Sequence, residues 1–233
     1  LEELNLILEA YFELFPENLN AEIYIFFDEI QTISNWELFI RRLYDSKKYI
    51  IYLTGSSSKL LSKEIATSLR GRTLSFTIFP LSFKEFLNFK EVKLDKNYIY
   101  SHKVYTIKKY FNEYLEFGGF PEILNEDLKI EVLQSYIDLI IYKDLIERYN
   151  IRNITLLKSL LFFLLSNVSK EFSINSYYNS IKKELSVSRE TIIEYNSYLE
   201  DISMIHFLYK FDYSLKKQHS TQRKVYSLDT GIT

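Results

Sequence analysis

The sequence predicts an α/β fold: a parallel sheet, followed by a helical region and a small domain of three helices and a hairpin. Three observations support this prediction. Short apolar runs alternate with amphipathic stretches up to residue 80, helical periodicity dominates after it, and two strand-like runs close the chain. Alternating strands and helices are typical of a parallel sheet covered by helices. We place the domains at residues 1–90, 91–150 and 151–233.

The first region carries short, continuous apolar runs, which are typical of buried strands. Helical periodicity fills the stretches between these runs. In chain order we predict a helix over 1–15 that Pro16 ends, a buried strand over 23–27, a helix over 35–45 with Asn35 as its N-cap, a buried strand over 49–55, a helix over 57–69 and a strand over 73–79.

The remainder of the chain is predicted to be mainly helical. Its one sharp break is the GGFPE segment at 118–122, which suits either a tight turn between helices or a hinge. Helices are predicted over 82–87, 105–117, 129–149, 154–167, 173–185 and 188–203, and strands over 204–213 and 224–229. Three helices followed by a hairpin give the outline of a winged helix.

Composition excludes several functional classes. The formal charge of −2 and the pI near 6.0 give no overall attraction to nucleic acid or to an anionic membrane, so any such contact must be local. The chain has no cysteine, which excludes disulfides, cysteine-ligated zinc and thiol catalysis. No apolar run approaches the roughly 20 residues that a membrane-spanning helix needs. We expect a soluble, cytoplasmic protein without membrane contacts.

The first candidate site follows the strand predicted over 23–27. Asp28 and Glu29 stand at its carboxyl end, where α/β sheets bind their ligands. In a nucleotidase the first acid holds the water shell of Mg²⁺, and the second orients the water that attacks the γ-phosphate. A strand that ends in two solvated acids has the same sequence, so both interpretations stay open at this point.

Two later segments carry groups that suit phosphate chemistry. Ser56 and Ser57 follow the next strand, in LTGSSSKLLS, where a hydroxyl can bond the γ-phosphate or the attacking water. Serine is equally favoured as a helix cap. Arg70 and Arg72 flank a flexible glycine in SLRGRT, and arginine suits bidentate phosphate contacts. An exposed loop with surface salt bridges is the alternative for this segment.

Five segments taken together give a more specific match to a known family than any single motif. In the order and spacing of these segments the chain resembles the archaeal-type AAA ATPases. The segments are FFDEIQTISNWELFIRRLYDS, YLTGSSSKLLSKEIATSLRGRTLSFTIFPLSFKEFL, YLEFGGFPEIL, YKDLIERYNIRN and KVYSLDTGI. These are P-loop proteins of archaea and bacteria with a winged-helix segment and a C-terminal nuclease-like domain. The resemblance covers nearly all 233 residues and implies ATP and Mg²⁺ as cofactors.

This resemblance also implies roles for the candidate residues. Asp28 and Glu29 match the Walker B pair, Ser56 or Ser57 the polar sensor, and Arg70 and Arg72 the RGR of the family pattern, which we expect near the phosphates. The implied fold is a partial P-loop NTPase (AAA-type) sheet, a helical lid over 91–150 and a winged helix. Asp229 lies on the strand that leads towards the nuclease-like domain, and no catalytic role is assigned to it.

The chain departs from the family pattern at its beginning. None of its five glycines begins the loop that ends in Lys-Ser or Lys-Thr, which would hold the phosphates. We therefore expect poor ATP affinity and negligible hydrolysis from the chain alone. The family pattern also places a strand ahead of that loop. We expect the chain to be a fragment of a longer protein, a broken gene product, or a chain that receives the missing strand from a complementary chain or oligomer, and we favour a fragment.

Nucleic-acid contact is predicted only in the last region. Its third helix, SRETIIEYNSYLED, carries Arg189 together with four acids, which is the wrong balance for binding phosphate. The following polar turn is basic, with Lys216, Lys217, Arg223 and Lys224. This distribution favours contacts with a nucleic-acid backbone or a protein over sequence reading. A solvated loop is the simpler alternative.

Two functions therefore remain after the sequence analysis. The first is an ATP-binding and ATP-hydrolysing switch coupled to a winged helix. The second is a nucleotide-independent module, derived from such an ATPase, that binds a protein or DNA. The Asp28–Glu29 pair favours the first function, and the missing phosphate loop favours the second for the chain as given.

Overall fold

The computed structural model describes residues 2–55, 73–94, 98–214 and 222–233. The chain divides into two compact units, residues 1–77 and residues 78–233. Within the described ranges, no helix combines the length and the apolar character needed to cross a membrane.

The first unit is a strand–helix–strand arrangement preceded by a helix. Its elements are α1 (Glu2–Leu14), β1 (Ile23–Phe27), α2 (Trp36–Asp45) and β2 (Tyr49–Leu53). The two strands pair in parallel, with Ile25 opposite Ile51. The core lies on one face of this sheet, where buried side chains of α2 such as Phe39 and Ile40 pack against the inward-facing strand residues. These four elements confirm the predicted order.

The sequence predicts that both strands are fully buried, which is wrong for one face of the β1–β2 sheet. Tyr24, Phe26 and Tyr52 point away from the core and are exposed, whereas Ile25 and Phe27 pack against it. Helices α1 and α2 supply apolar side chains to the inner face only, so alternate residues of each strand remain outside the core.

Two further expectations for this region need correction. No strand forms over 73–79 within the described residues; Leu74, Phe76 and Ile78 are almost fully exposed there. An alternating sequence favours extended backbone, but a strand also needs a neighbour with which to pair. Asn35 precedes α2 as predicted, but its backbone is left-handed (φ 59°) and its side chain makes no capping bond. The helix predicted over 57–69 lies outside the described residues.

The second unit is mainly helical and ends in a small antiparallel sheet. Its elements are α3 (Phe83–Phe89), α4 (Lys103–Phe117), α5 (Lys129–Leu139), a π-helix (Ile140–Glu147), α6 (Ile154–Leu165), β3 (Glu171–Phe172), α7 (Ile174–Ile181), α8 (Arg189–Asp201), β4 (Ile205–Tyr209) and β5 (Arg223–Ser227). The predicted helices and the terminal hairpin are confirmed. The predicted boundary at residue 90 falls inside this unit, where Phe86 of α3 packs with Ile107 of α4.

The terminal sheet has the order β3–β5–β4, and both pairings are antiparallel. One face of this sheet closes the core of the second unit, with Phe172, Phe207 and Val225 directed inwards. Helix α6 lies at the centre of that core and buries six leucines: Leu156, Leu157, Leu160, Leu161, Leu164 and Leu165. The helix predicted over 129–149 has the expected extent, but its second half widens into the π-helix.

Candidate functional site

The carboxyl ends of β1 and β2 lie side by side in the first unit. Phe27 and Leu53 are register partners at the end of the parallel pair. The backbone N–H of Thr54 continues the ladder by donating to the Phe27 carbonyl at 2.9 Å. Asp28 and Thr54 are therefore the first residues beyond two neighbouring strands, at the edge where parallel sheets place their ligands.

Thr54 connects the two acids that the sequence singled out. Its hydroxyl donates to Oδ1 of Asp28 and accepts a hydrogen bond from the backbone N–H of Glu29 at 3.4 Å. Asp28 is exposed and Glu29 is half-buried. The sequence did not single out Thr54, because the polar sensor was expected among the serines that follow Gly55. The parallel register of the two predicted strands could have indicated Thr54, since the first residues after two adjacent parallel strands lie side by side.

Glu29 is held in an unusual backbone conformation. Its φ of 49° and ψ of 40° lie in the left-handed region, which costs a residue other than glycine roughly 1–3 kcal/mol. The neighbours compensate: Ile30 is buried in the core, and the Thr32 hydroxyl donates to the Glu29 carbonyl at 2.9 Å. Six other non-glycine residues of the described chain, Asn35 among them, also have a positive φ, so this conformation is a recurrent feature of its turns.

The donor set suits a hydrated divalent cation. Asp28 and Thr54 provide hard oxygen atoms of the type that Mg²⁺ prefers, and Mg²⁺ commonly keeps several waters beside one or two carboxylates. Over the described part of the chain, no group of three or more His, Asp or Glu side chains could enclose a metal ion. The oxygen donors of Asp28 and Thr54 are of the kind that would hold a hydrated Mg²⁺ ion, and Mg²⁺ itself remains a prediction.

Six of the predicted site residues lie in segments that the structure does not describe. Ser56, Ser57, Arg70 and Arg72 lie outside the described residues, and so do Lys216 and Lys217. Their predicted roles stay predictions.

The three remaining basic candidates have different environments. The Arg223 guanidinium lies 3.8 Å from the centre of the Phe207 ring and donates to the Tyr209 hydroxyl at 2.7 Å, so it is half-buried against the sheet. Lys224, the next residue, is exposed. Arg189 begins α8 and is exposed, and its Nε donates to Asn175 at 2.6 Å. Of these three, Lys224 and Arg189 present the more accessible charges.

Comparison with known families relates the unit that carries this site to the AAA-like ATPases, since the family described as AAA domain matches residues 1–87. The chain itself belongs to the family described as a domain of unknown function (DUF8612), which matches residues 108–233, more than half of its length. The first match confirms a AAA domain relationship for residues 1–87, whereas the more specific resemblance to archaeal-type AAA ATPases over nearly the whole chain remains a prediction. The winged helix and the nuclease-like domain remain predictions.

Individual relatives come from archaea and bacteria. The uncharacterized protein MJ1544 of Methanocaldococcus jannaschii is 46% identical over 209 residues, covering 88% of this chain and 46% of the relative. An uncharacterized protein of Haemophilus influenzae is 32% identical over 214 residues, covering 91% and 52%. MJ1637 of M. jannaschii is 29% identical over 238 residues, covering 93% and 49%. The chain spans about half the length of these curated relatives. No solved structure gives a significant match.

Proposed function

We propose that the chain is part of a AAA-type ATPase and forms the magnesium- and water-handling side of its nucleotide site. One observation carries this proposal: Asp28, Glu29 and Thr54 meet at the carboxyl end of a parallel strand pair. Asp28 holds the water shell of Mg²⁺, and Glu29 orients the water that attacks the γ-phosphate. Mg²⁺ supplies the positive charge that stabilises the phosphates during transfer.

Thr54 has a positioning role in this proposal. Its hydroxyl fixes one oxygen of Asp28 and the amide of Glu29, so both acids keep a defined direction at the sheet edge. The resemblance adds the remaining groups: Ser56 and Ser57 sense the γ-phosphate, and Arg70 and Arg72 lie near the phosphates.

The phosphate-binding loop must come from outside these 233 residues, because none of the five glycines begins its motif. We propose that a complementary chain, an oligomer partner or a further segment of the protein supplies it. The exposed apolar residues at 73–79 and the small size of the two-stranded parallel sheet suit the addition of another strand. Without that addition, hydrolysis by the chain alone is negligible.

The second unit supports a coupled binding domain. Helices α6, α7 and α8 together with the β3–β5–β4 sheet agree with the proposed winged helix of residues 151–233. If the module works without nucleotide, this domain binds a protein or the backbone of DNA. The exposed Lys224, at the end of the basic turn, favours that second function.

The unfolding temperature of the chain, measured with millimolar Mg·ATP, with ATP and EDTA, and without nucleotide, tests the first function. A ligand at about 100 times its dissociation constant stabilises the folded state by about 2.7 kcal/mol, which raises the midpoint by a few degrees. We expect any magnesium-dependent shift to disappear in Asp28→Ala and to shrink in Thr54→Val. The shift should persist in the control variant Glu17→Ala, which removes an exposed acid of the same unit.

A shift that survives Asp28→Ala would exclude the assigned magnesium role. The absence of any shift in the unaltered chain would mean that the phosphate-binding loop has to be supplied before the nucleotide site is complete. The nucleotide-independent module is tested by titrating a short fluorescent DNA duplex at low and high salt. Neutralising Lys216, Lys217 and Lys224 together should abolish salt-dependent binding. Neutralising Lys84, Lys108 and Lys109, which are exposed on α3 and α4, should not.

A further inference from the structure

Two glycine-containing segments that the proposed function does not use meet in the second unit. Asp229 is buried, with 6% of its surface exposed. Its Oδ2 accepts the backbone N–H of Gly119 at 2.8 Å, and its Oδ1 accepts the N–H of Gly231 at 2.8 Å. We call Gly118, Gly119, Asp229 and Gly231 the glycine–aspartate latch. Hydrogen bonds from amides to a carboxylate are charge-assisted and stronger than neutral ones.

The latch has no room for side chains at its glycines. Gly118 ends α4 with a positive φ of 77°, and a Cβ there would lie 1.5 Å from the Asp229 carboxylate. A Cβ at Gly231 would lie 2.3 Å from the Phe117 carbonyl oxygen. Glycine is therefore needed on both sides of the contact, because both backbones approach the opposing segment directly.

A third segment joins the latch at Leu81, close to where the chain leads into the second unit. The Leu81 N–H donates to the Gly119 carbonyl at 2.8 Å. The Tyr114 hydroxyl donates to the Leu81 carbonyl at 2.9 Å, and the Tyr114 carbonyl accepts the Thr230 hydroxyl at 2.8 Å. Tyr114 thus contacts both the segment before α3 and the segment after β5.

We infer that the glycine–aspartate latch is a conformational coupling device that holds residues 79–82 and residues 228–233 together, so that release of one segment releases the other. Helix α6 itself stays folded when the latch opens, although Ile232 of the released segment leaves the core that α6 centres. Local openings of this kind are common, since structural segments of one protein unfold with different free energies. This inference is independent of nucleotide binding and does not rest on the proposed function.

Hydrogen–deuterium exchange of the full chain, read by mass spectrometry, tests the coupling. The useful reporters are the backbone N–H groups of Leu81 and Thr233, since neither donates to Asp229. In Asp229→Ala we expect exchange at both reporters to rise by at least about tenfold, the factor that corresponds to losing a hydrogen bond to a charged group. Peptides from α6 should keep their protection. Asp127→Ala, which removes an exposed acid of the same unit, should change neither reporter.

Tyr114→Phe gives a second, milder test from the opposite side. This variant removes the hydroxyl that donates to the Leu81 carbonyl, and it leaves in place the Tyr114 carbonyl that accepts the Thr230 hydroxyl. Because coupling is reciprocal, exchange should rise at Thr233 as well as at Leu81. Faster exchange at Leu81 alone would overturn the inference. So would a uniform loss of protection that includes α6 in Asp229→Ala, because the latch would then be an ordinary part of the global fold.

Discussion

The two units differ in how their apolar surfaces are covered. In the second unit, helices and the terminal sheet surround a core with α6 at its centre, and a smaller cluster around Phe86 and Ile107 lies between α3 and α4. In the first unit, the core lies on one face of a two-stranded parallel sheet, and the other face exposes Tyr24, Phe26 and Tyr52. Parallel sheets are normally covered on both faces. Within the described residues, the second unit covers the inner face of its sheet with helices, whereas the first unit leaves one face of its sheet exposed.

The largest expected effect on stability comes from a substitution in the core of the second unit. Leu160 is fully buried in α6, so Leu160→Ala should lower the free energy of unfolding by about 2–5 kcal/mol through lost burial and the cavity left behind. Urea denaturation followed by circular dichroism measures this change. Phe162→Ala is the matched control on the same helix, where 54% of the side chain is exposed, and its effect should be clearly smaller. Equal losses would contradict a core centred on α6.

A second prediction uses pH to distinguish two acids of the second unit. Burial raises the pKa of Asp229, although the amides of Gly119 and Gly231 oppose the shift. The folded state then takes up a proton before the unfolded state does, so the contribution of Asp229 to stability increases as pH falls through the raised pKa towards its ordinary value of 3.8. The stability of the unaltered chain relative to Asp229→Asn should therefore improve on mild acidification.

Glu113 should show the opposite trend. Burial alone would raise its pKa, but Lys129 at 2.6 Å and Lys90 at 3.6 Å together hold the pKa below its ordinary value. Its stabilising contribution is present above the unfolded value of 4.5 and is lost as pH falls through the lower folded pKa. The advantage of the unaltered chain over Glu113→Gln should shrink in acid. Urea titrations at a series of pH values compare both pairs, and parallel trends would refute the assignment.

The smallest effect on stability is expected from the open face of the first unit. Phe26 and Tyr52 stack there at 4.8 Å between ring centres, so replacing both with threonine removes an aromatic contact of roughly 0.5–1.5 kcal/mol. The same change should reduce self-association in sedimentation experiments, since an exposed apolar patch favours contact with other chains. Tyr100→Thr, at a position 90% exposed in the second unit, is the control. Unchanged self-association would argue against a docking role for this face.

Local sequence was sufficient to predict most elements but not their environment. Five apolar residues between Glu22 and Asp28 define β1 within its observed bounds, because charged residues flank the run on both sides. The apolar run over 23–27 does not reveal that α1 and α2 cover only one face of the β1–β2 sheet. The segment 73–79 illustrates a related limit, since its alternation favours a strand without supplying a partner.

Side-chain environments were harder to predict where several segments meet. The spacing of apolar residues over 140–147 is compatible with an α-helix or a π-helix, so the sequence did not predict the π-helix. Strand β3 has only two residues, too few for any period to appear. Asp28 and Glu29 were found because they follow a strand directly, whereas Thr54 required knowledge of the register. Arg223 looked like a free cation of the basic turn, but its position in β5 brings it against Phe207.

The single tryptophan of the chain, Trp36, is buried in the core of the first unit, with 3% of its surface exposed. Intrinsic tryptophan fluorescence therefore reports on this unit without any label. The second unit contains no tryptophan but has a close tyrosine pair, Tyr149 and Tyr198, whose rings stack at 3.8 Å. Tryptophan emission thus follows the first unit alone, whereas fifteen of the twenty tyrosines lie in the second unit. A melting experiment that compares tryptophan emission with far-ultraviolet circular dichroism of the whole chain would reveal whether the two units lose structure in one step or in two.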